Sequence, residues 1–437
     1  MAHHTGHRGR PGLSSANLVA TDTIAAIATA TARAALGIVR VSGPTALAIA
    51  RTIAAPEPLA RHAAYRSFRS SSGDILDTGI LIYFPGPNSA TGEDVCEFHA
   101  HGNPLVLQEL LQQICRLGAR LAHPGEFSER AYRNGKIDLA QAEAIADFID
   151  SRSMRAARSA MRSLSGEFSA RVYNLIEQLT TARVAIEGAI DFPDDVPGTQ
   201  LAAELILRST LIDQELAGLL RSGRQGARLN TGYTVALVGA PNVGKSTLLN
   251  RLAGTDRAIV SDTPGTTRDL IEVDLVLQDL TLRLVDTAGL RTAGNAIEQE
   301  GIRRTTSVMA TADIVLLVTD TPDLIDPAAQ LAQLGYREVL AVAVIVVHNK
   351  ADLRGPPPVA PLAMSTAHVS LSAREGTGID ALTAAIAKAL GVSVADETEF
   401  IARTRHIVAL EQARAELQPI DLSTPIAENA CLGIDTK

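Results

Sequence analysis

The chain has few cysteines, no long apolar run, no leader-like start and no surplus of positive charge, and each shortage removes a class of function. Its three cysteines, Cys96, Cys115 and Cys431, have neither paired nor metal-ligand spacing, which points away from a disulfide framework and towards a reducing compartment. No apolar run has the length and purity of a membrane span. VLAVAVIVVHNK, the most apolar stretch, meets a polar boundary too early and reads as a buried strand. The first seventeen residues contain His and Arg but no acid and no apolar core, so they read as a disordered tail rather than a secretory signal or transit peptide. The expectation is a cytoplasmic protein that makes no use of a membrane. With a net charge of −8 at pH 7, any nucleic-acid contact must rest on a local basic patch.

What is present is a set of nucleotide motifs placed late in the chain. Gly239, Gly244, Lys245 and Ser246 complete G-x-x-x-x-G-K-[ST]. The apolar run YTVALVG (233–239) precedes them and KSTLLNRLAG, with helical periodicity, follows, so the motif lies between a strand and a helix. Its main-chain N–H groups suit phosphate, Lys245 is placed for the β and γ phosphates, and the Ser246 hydroxyl is placed for Mg²⁺. LRLVDTAGL (282–290) ends a strand at Asp286, suited to the magnesium shell, with Gly289 free to turn its N–H towards a γ-phosphate. HNKAD (348–352) follows a buried strand, and the Asp352 carboxylate can accept two hydrogen bonds from guanine, which adenine cannot offer. SLSAR (370–374) ends the next strand. The ordered set resembles the translation-factor-related GTPases.

In SDTPGTTRD (261–269), Thr267 is the natural second hydroxyl for Mg²⁺. Leu290 stands where Ras-like enzymes carry a water-orienting glutamine, so positioning and charge stabilisation must come from elsewhere. Asn242 in the phosphate loop suits either a monovalent cation or a turn.

Residues 18–136 read as a separate α+β domain. TIAAIAT, LGIVRVSG, GILIYFPG and DVCEFHAHG are expected strands; PTALAIARTIA and PLVLQELLQQICRLG are expected helices. From 137 to 230 the pattern is helical, broken at DFPDDVPG (191–198). The GTPase occupies 231–390, and FIARTRHIVALEQARAELQ (400–418), within a closing segment 391–437, is again expected to be helical. The fold class is therefore multidomain: an α+β N-terminal domain, an all-α helical domain, and an α/β phosphate-loop GTPase domain inserted into the helical one, an arrangement that keeps the ends of the insert together.

TGEDVCEFHAHG (91–102), HPGEFSERAYRNGKIDLAQAEAIADFIDS (123–151) and FIARTRH (400–406) around this core resemble the MnmE (TrmE) family of tRNA uridine-5-carboxymethylaminomethyl modification GTPases. The similarity runs from about Leu18 to about Gln418, and PGEFSERA is more discriminating than any GTPase motif. The resemblance implies an N-terminal domain that dimerises and binds 5-formyltetrahydrofolate or a related tetrahydrofolate, with Arg40, Glu97 and Lys136 at the matching positions. It implies GTP contacts at Asn242, Val243, Gly244, Lys245, Ser246 and Thr247, then at Ser261, Asp262, Thr263, Pro264, Gly265, Thr266 and Thr267. Further GTP contacts fall at Asp286, Thr287, Ala288 and Gly289, at Asn349, Lys350, Ala351 and Asp352, and at Ser372, Ala373 and Arg374. Mg²⁺ falls to Ser246 and Thr267, and K⁺ to Asn242, Ser261, Thr263 and Thr266, which favours the cation over the turn for Asn242. In such a site potassium stands in for an arginine finger, and Glu298 positions water.

The implied partners are a second copy of the chain, the FAD-binding protein MnmG in a heterotetramer, and tRNA modified at the wobble uridine, U34. Arg152, Arg155, Arg158 and Arg162, with no acid between Ser151 and Gly166, form a basic stripe that suits tRNA or the partner, or is a solvated face. Some positions depart from the family pattern. ATARAALG (30–37) replaces a Pro-Pro-Gly turn, Ala90 an aromatic and Asn103 a glycine. PIDLSTPIAENACLGIDTK is too short for the family's closing helices, and Cys431-Leu432-Gly433 lacks the lysine of its Cys-Ile-Gly-Lys tail. Two other readings are a ribosome-assembly GTPase switch and a C-terminally truncated folate-binding dimer without modification activity.

Overall fold

The computed structural model describes residues 22–192, 198–254, 271–277, 279–286, 312–321, 323, 325–333, 343–354, 367–391 and 400–417. The chain divides into two compact units, Met1–Glu143 and Ala144–Lys437.

The first unit is built on a six-stranded sheet. Its elements in chain order are β1 (Thr23–Ile27), β2 (Ala34–Ser42), α1 (Ala46–Ile53), β3 (Ala64–Arg69), β4 (Ile75–Phe84), β5 (Val95–Gly102), α2 (Pro104–Arg116), β6 (Ala119–Leu121) and α3 (Glu126–Arg133). The strand order is β3-β4-β5-β2-β1-β6. β6 runs parallel to β1, while the other pairs are antiparallel. Strand alternation sorts the residues by face. Val39, Val41, Phe68, Leu81 and Phe98 join Ile49, Ile53, Leu107, Leu110 and Ile114 of the helices in one core. Arg40 and Glu97 share the other face, directly opposite each other in register. A slip of either strand by one residue would turn its charge into the apolar core, so burial of the first face fixes the second.

The expected strands and helices of this unit are present. β3, β6 and α3 are additions that periodicity did not signal. AYRSFR places arginines at positions 66 and 69 of a strand, and α3 has only Glu126, Arg130 and Ala131 buried. Its signal is electrostatic instead: Glu126 and Glu129 lie in the first turn and Arg130 and Arg133 in the last, which complements the helix dipole.

Helices follow: α4 (Leu139–Ile149), in which the first unit ends and the second begins, then α5 (Met154–Leu164), α6 (Glu167–Asp191) and α7 (Gly198–Thr231). α7 leads through Gly232 into β7 (Tyr233–Val238), after which come α8 (Lys245–Ala253), β8 (Ile271–Leu277), β9 (Leu280–Asp286), β10 (Ile314–Thr319), α9 (Pro327–Gln333), β11 (Ala343–His348), α10 (Ala351–Arg354), β12 (Ala367–Ser370) and α11 (Ile379–Ala389). The sheet order is β12-β11-β10-β7-β9-β8, parallel except for the edge strand β8. Both faces are covered: Ile314, Leu316 and Val318 face one core and Val315 and Leu317 the other. This explains why the central strands read as unbroken apolar runs.

After the sheet the chain returns to the helices. α12 (Thr404–Glu416) packs on α7, with Arg414 paired to Asp213 at 2.6 Å and Arg224 to Glu411. The expected helix over 400–418 is shorter than its pattern. Phe400, Ile401 and Ala402 are buried in a non-helical segment, because Ser163 takes both main-chain groups of Ile401. Ile401 N donates to Ser163 Oγ at 3.0 Å, and that hydroxyl donates to Ile401 O at 3.1 Å. A helical Ile401 would spend those groups within its own helix.

Candidate nucleotide-binding site

The parallel order puts the ends of β7, β10, β11 and β12 along one edge of the sheet, and β7 lies where the strand order reverses. Ligands bind at such a reversal, beyond the carboxyl ends of the strands. The loop after β7 runs from Gly239 to Gly244. Gly244 has φ +97°, and a Cβ there would lie 2.2 Å from Asn349 Nδ2, so only glycine lets the loop pass this close. Asn242 has φ +62°, a left-handed conformation that Asn tolerates better than most residues. This supports its role in the turn; its side chain is exposed.

Lys245 is buried at the start of α8 and donates to Gly239 O at 2.9 Å and Ala240 O at 2.8 Å. Ser246 and Thr247 are exposed on the first turn, and Val243 is buried beneath it. Asn349 joins two loops: Nδ2 donates to Val243 O at 2.8 Å, and Oδ1 accepts from Ala373 N at 3.0 Å. Lys350, also left-handed at φ +63°, donates to Asn242 O at 2.8 Å and to Asp320 at 3.0 Å. The Lys350 hydrogen bond, helped by Arg354, holds the Asp320 carboxyl below its ordinary value. Asp352 is exposed in the first turn of α10, beside Ala351, and Ser372 is fully buried, its Oγ accepting from Glu375 N.

The structure thus brings Asn242 to Thr247, Asn349 to Asp352 and Ser372 to Arg374 together. Two residues that sequence reasoning missed hold this arrangement. Arg251 binds Ala373 O at 3.0 Å and Arg374 O; Asp320 gathers Lys350 and Arg354. Arg251 lies six residues beyond Lys245 on α8, and nothing in its sequence context sets it apart from a surface arginine. Asp286 ends β9 opposite Leu237 of β7, one strand from the phosphate loop. Ser261, Asp262, Thr263, Pro264, Gly265, Thr266, Thr267, Thr287, Ala288, Gly289, Leu290 and Glu298 lie outside the described residues, as do Cys431 and the N-terminal seventeen.

In the first unit Arg40 and Glu97 meet across β2 and β5. Arg40 Nε and Nη2 lie 2.9 and 2.8 Å from Glu97 Oε1, and His99 Nε2 lies 3.1 Å from Oε2. The Arg40 guanidinium also lies 5.7 Å from the centre of the Phe127 ring. His99 and Phe127 were missed, although Glu97 and His99 share a face by strand alternation. Lys136 donates to Pro87 O at 3.0 Å rather than to this pair.

The basic stripe is altered in the same way. Arg152 precedes Ser153, the N-cap of α5, so it lies outside the helix, and it is paired with Asp274 of β8. Arg155 and Arg158 also have partners. Among the described residues no helix is long and apolar enough to cross a membrane, and no group of three or more His, Cys, Asp or Glu is arranged to hold a metal.

Comparison with known proteins adds to this geometry. The family described as GTP-binding protein TrmE N-terminus matches residues 23–136, and the MnmE helical domain family matches 139–431. The chain is 46% identical over 402 residues to the tRNA modification GTPase MnmE of Stutzerimonas stutzeri, covering 91% of this chain and 88% of that protein. It is 47% identical over 395 residues to the protein of the same name from Nitrosococcus oceani, covering 90% and 86%. Among solved structures it is similar to Aquifex aeolicus Era bound to GDP and AlF4⁻, with 29% identity, 40% of this chain and 63% of that one covered, and a TM-score of 0.29.

Proposed function

Since the chain belongs to the MnmE family of tRNA modification GTPases, we propose that it couples GTP hydrolysis in the cytoplasm to modification of the wobble uridine of tRNA, as a homodimer working with the FAD-binding partner MnmG. The observation that carries the GTPase reading is Asn349, whose side chain ties the phosphate loop at Val243 to the Ala373 loop. A base held by Asp352 is thereby set at a fixed distance from phosphates held by Lys245.

The residues fit a nucleoside triphosphate and Mg²⁺. The Gly239 and Ala240 carbonyls that Lys245 Nζ meets are neutral acceptors that a phosphate oxygen outcompetes, and the Ser246 hydroxyl stands exposed on the first turn of α8, where the helix dipole favours an anion. Ser246 and Thr267 would hold the metal, which neutralises charge developing on the phosphates. Asn242, Ser261, Thr263 and Thr266 would hold K⁺, supplying positive charge that Leu290 cannot, and Glu298 would orient water. The exposed Asp352 carboxylate reads the guanine edge and disfavours adenine.

The pair of Arg40 and Glu97, both partly exposed and backed by His99 and Phe127, suits a tetrahydrofolate. A guanidinium matches its glutamate carboxylates and a carboxylate its pterin N–H groups. Lys136 belongs to this proposal as a residue that leaves Pro87 O to reach the ligand. The folate would supply the one-carbon unit for the aminomethyl or carboxymethylaminomethyl group.

GTP turnover in KCl against NaCl at equal ionic strength tests the cation reading. We expect strong stimulation by potassium that Asn242→Ala removes; equal rates in both salts would end it. Mass spectrometry of wobble uridines in a deletion strain carrying this chain tests modification, and unmodified uridine would leave hydrolysis as the only activity.

A further inference from the structure

Two histidines stand behind the guanine-reading loops. His348 ends β11 immediately before Asn349 and is 3% exposed; His368 lies on β12, two residues before the Ser370 that pairs with His348. The parallel register therefore sets the two rings diagonally on one face of the sheet. His348 Nδ1 is 3.0 Å from Thr321 O, and His348 Nε2 is 3.1 Å from His368 Nδ1. The ring centres are 5.4 Å apart with planes 23° from parallel. A carbonyl oxygen only accepts, so Nδ1 of His348 carries a proton. In the neutral ring Nε2 is then a lone pair, and His368 must bring its proton on Nδ1. The polarity of the chain from His368 through His348 to Thr321 is fixed. His368 Nε2 is left buried with no partner among the described residues, an arrangement suited to a neutral ring.

β12 has four residues and, among the described residues, lies at the edge of its sheet with main-chain pairing on one side only. It nonetheless positions Ser372 and Ala373 against Asn349. We propose that His348 and His368 are positioning residues for guanine recognition: their hydrogen bond locks β12 to β11 and to the loop at Thr321, so that the Asn349–Asp352 and Ser372–Arg374 loops meet the base in register. The proposal rests on the guanine reading of Asp352.

The test uses the full chain and compares its affinity for GTP with that for inosine triphosphate, which lacks the exocyclic amine that Asp352 reads. His368→Leu removes the donor; His368→Asn retains an N–H close to the position of Nδ1. We expect His368→Leu to weaken GTP about tenfold, the size of one buried hydrogen bond, with a smaller loss for inosine triphosphate and unchanged kcat at saturation, while His368→Asn stays within about twofold of the parent chain. Parent-like binding by His368→Leu overturns the proposal. Equal weakening by the two variants, or of the two nucleotides, also overturns it, because packing rather than loop register would then be at issue. A parent chain with no preference for GTP over inosine triphosphate fails the guanine reading itself, and the proposal with it.

Discussion

Buried cations are handled differently in the two units. Arg130, 4% exposed in the first unit, is met by three carboxylates: Asp22 at 3.0 Å, Glu93 at 3.2 Å and Glu126 at 3.0 Å. Arg120 shares two of them, reaching Glu126 and Asp22 at 2.6 Å each. Lys245, 6% exposed in the second unit, donates to the carbonyls of Gly239 and Ala240. A guanidinium whose donors meet carboxylates has its charge answered in place and tends to be structural. An ammonium resting on loop carbonyls holds bonds that an anion can replace. Equal burial therefore conceals different settings: the Arg130 donors meet carboxylates, whereas Lys245 also rests on loop carbonyls that an anion can displace.

Removing each cation is the most forceful way to break that contrast. Arg130→Met leaves Glu93 buried without its guanidinium, while Glu126 keeps that of Arg120, and should cost about 3–5 kcal/mol. Hydrogen exchange should show β1 and α3 opening first, while GTP turnover survives wherever the second unit stays folded. Lys245→Ala should lower turnover by about 10²–10³, the usual cost of one electrostatic stabiliser, with little change in thermal unfolding. If Lys245→Ala unfolds the chain, or Arg130→Met leaves exchange unaltered, the division by acceptor type is wrong.

Acid sharpens the comparison. The hydrogen bond from Arg120, with further ones from His123 N and Arg130, holds Glu126 at about 2 against an ordinary 4.5. A carboxylate lowered in the fold gives stability that is fully present above its unfolded value and lost as pH falls through its folded one. The first unit should therefore lose stability from about pH 4.5 down to about 2. Glu126→Gln, itself less stable at neutral pH, should flatten that limb in an acid titration followed by circular dichroism, and an unchanged slope would remove Glu126 as its source.

The same contrast decides what the sequence could reveal. The phosphate loop, the guanine loop and the apolar strands between them are local patterns, so their order and placement were legible. PGEFSERA was legible only as a resemblance. Its physical content is the buried cluster, because Arg130, beside Glu126, reaches Glu93 and Asp22 across 37 and 108 residues, a pairing that no local spacing encodes. Phe127, under the distant Arg40, was hidden for the same reason, as were the Ser163 bonds that take Phe400 to Ala402 out of the expected helix, whereas His99 was open to local reading because it alternates with Glu97 on one strand. Long-range hydrogen bonds override propensity where they satisfy buried main-chain groups.

Arg152 supplies a third case, in which a charge is neither enclosed nor held for a ligand. Its side chain is 42% exposed and paired with Asp274, which also receives Arg283 at 3.2 Å. An exposed pair gains little, since water screens it and two long side chains must be ordered, so Arg152→Ala should change stability by less than about 1 kcal/mol. Its effect on tRNA affinity discriminates more sharply. A phosphate contact by Arg152 must first release Asp274, so removing the arginine should leave tRNA binding and its salt dependence almost unchanged if the stripe is a solvated, internally paired face. A fall in the salt slope by about one would instead show a phosphate contact, and would mean that this exposed pair opens on binding as the Lys245 contacts are expected to do.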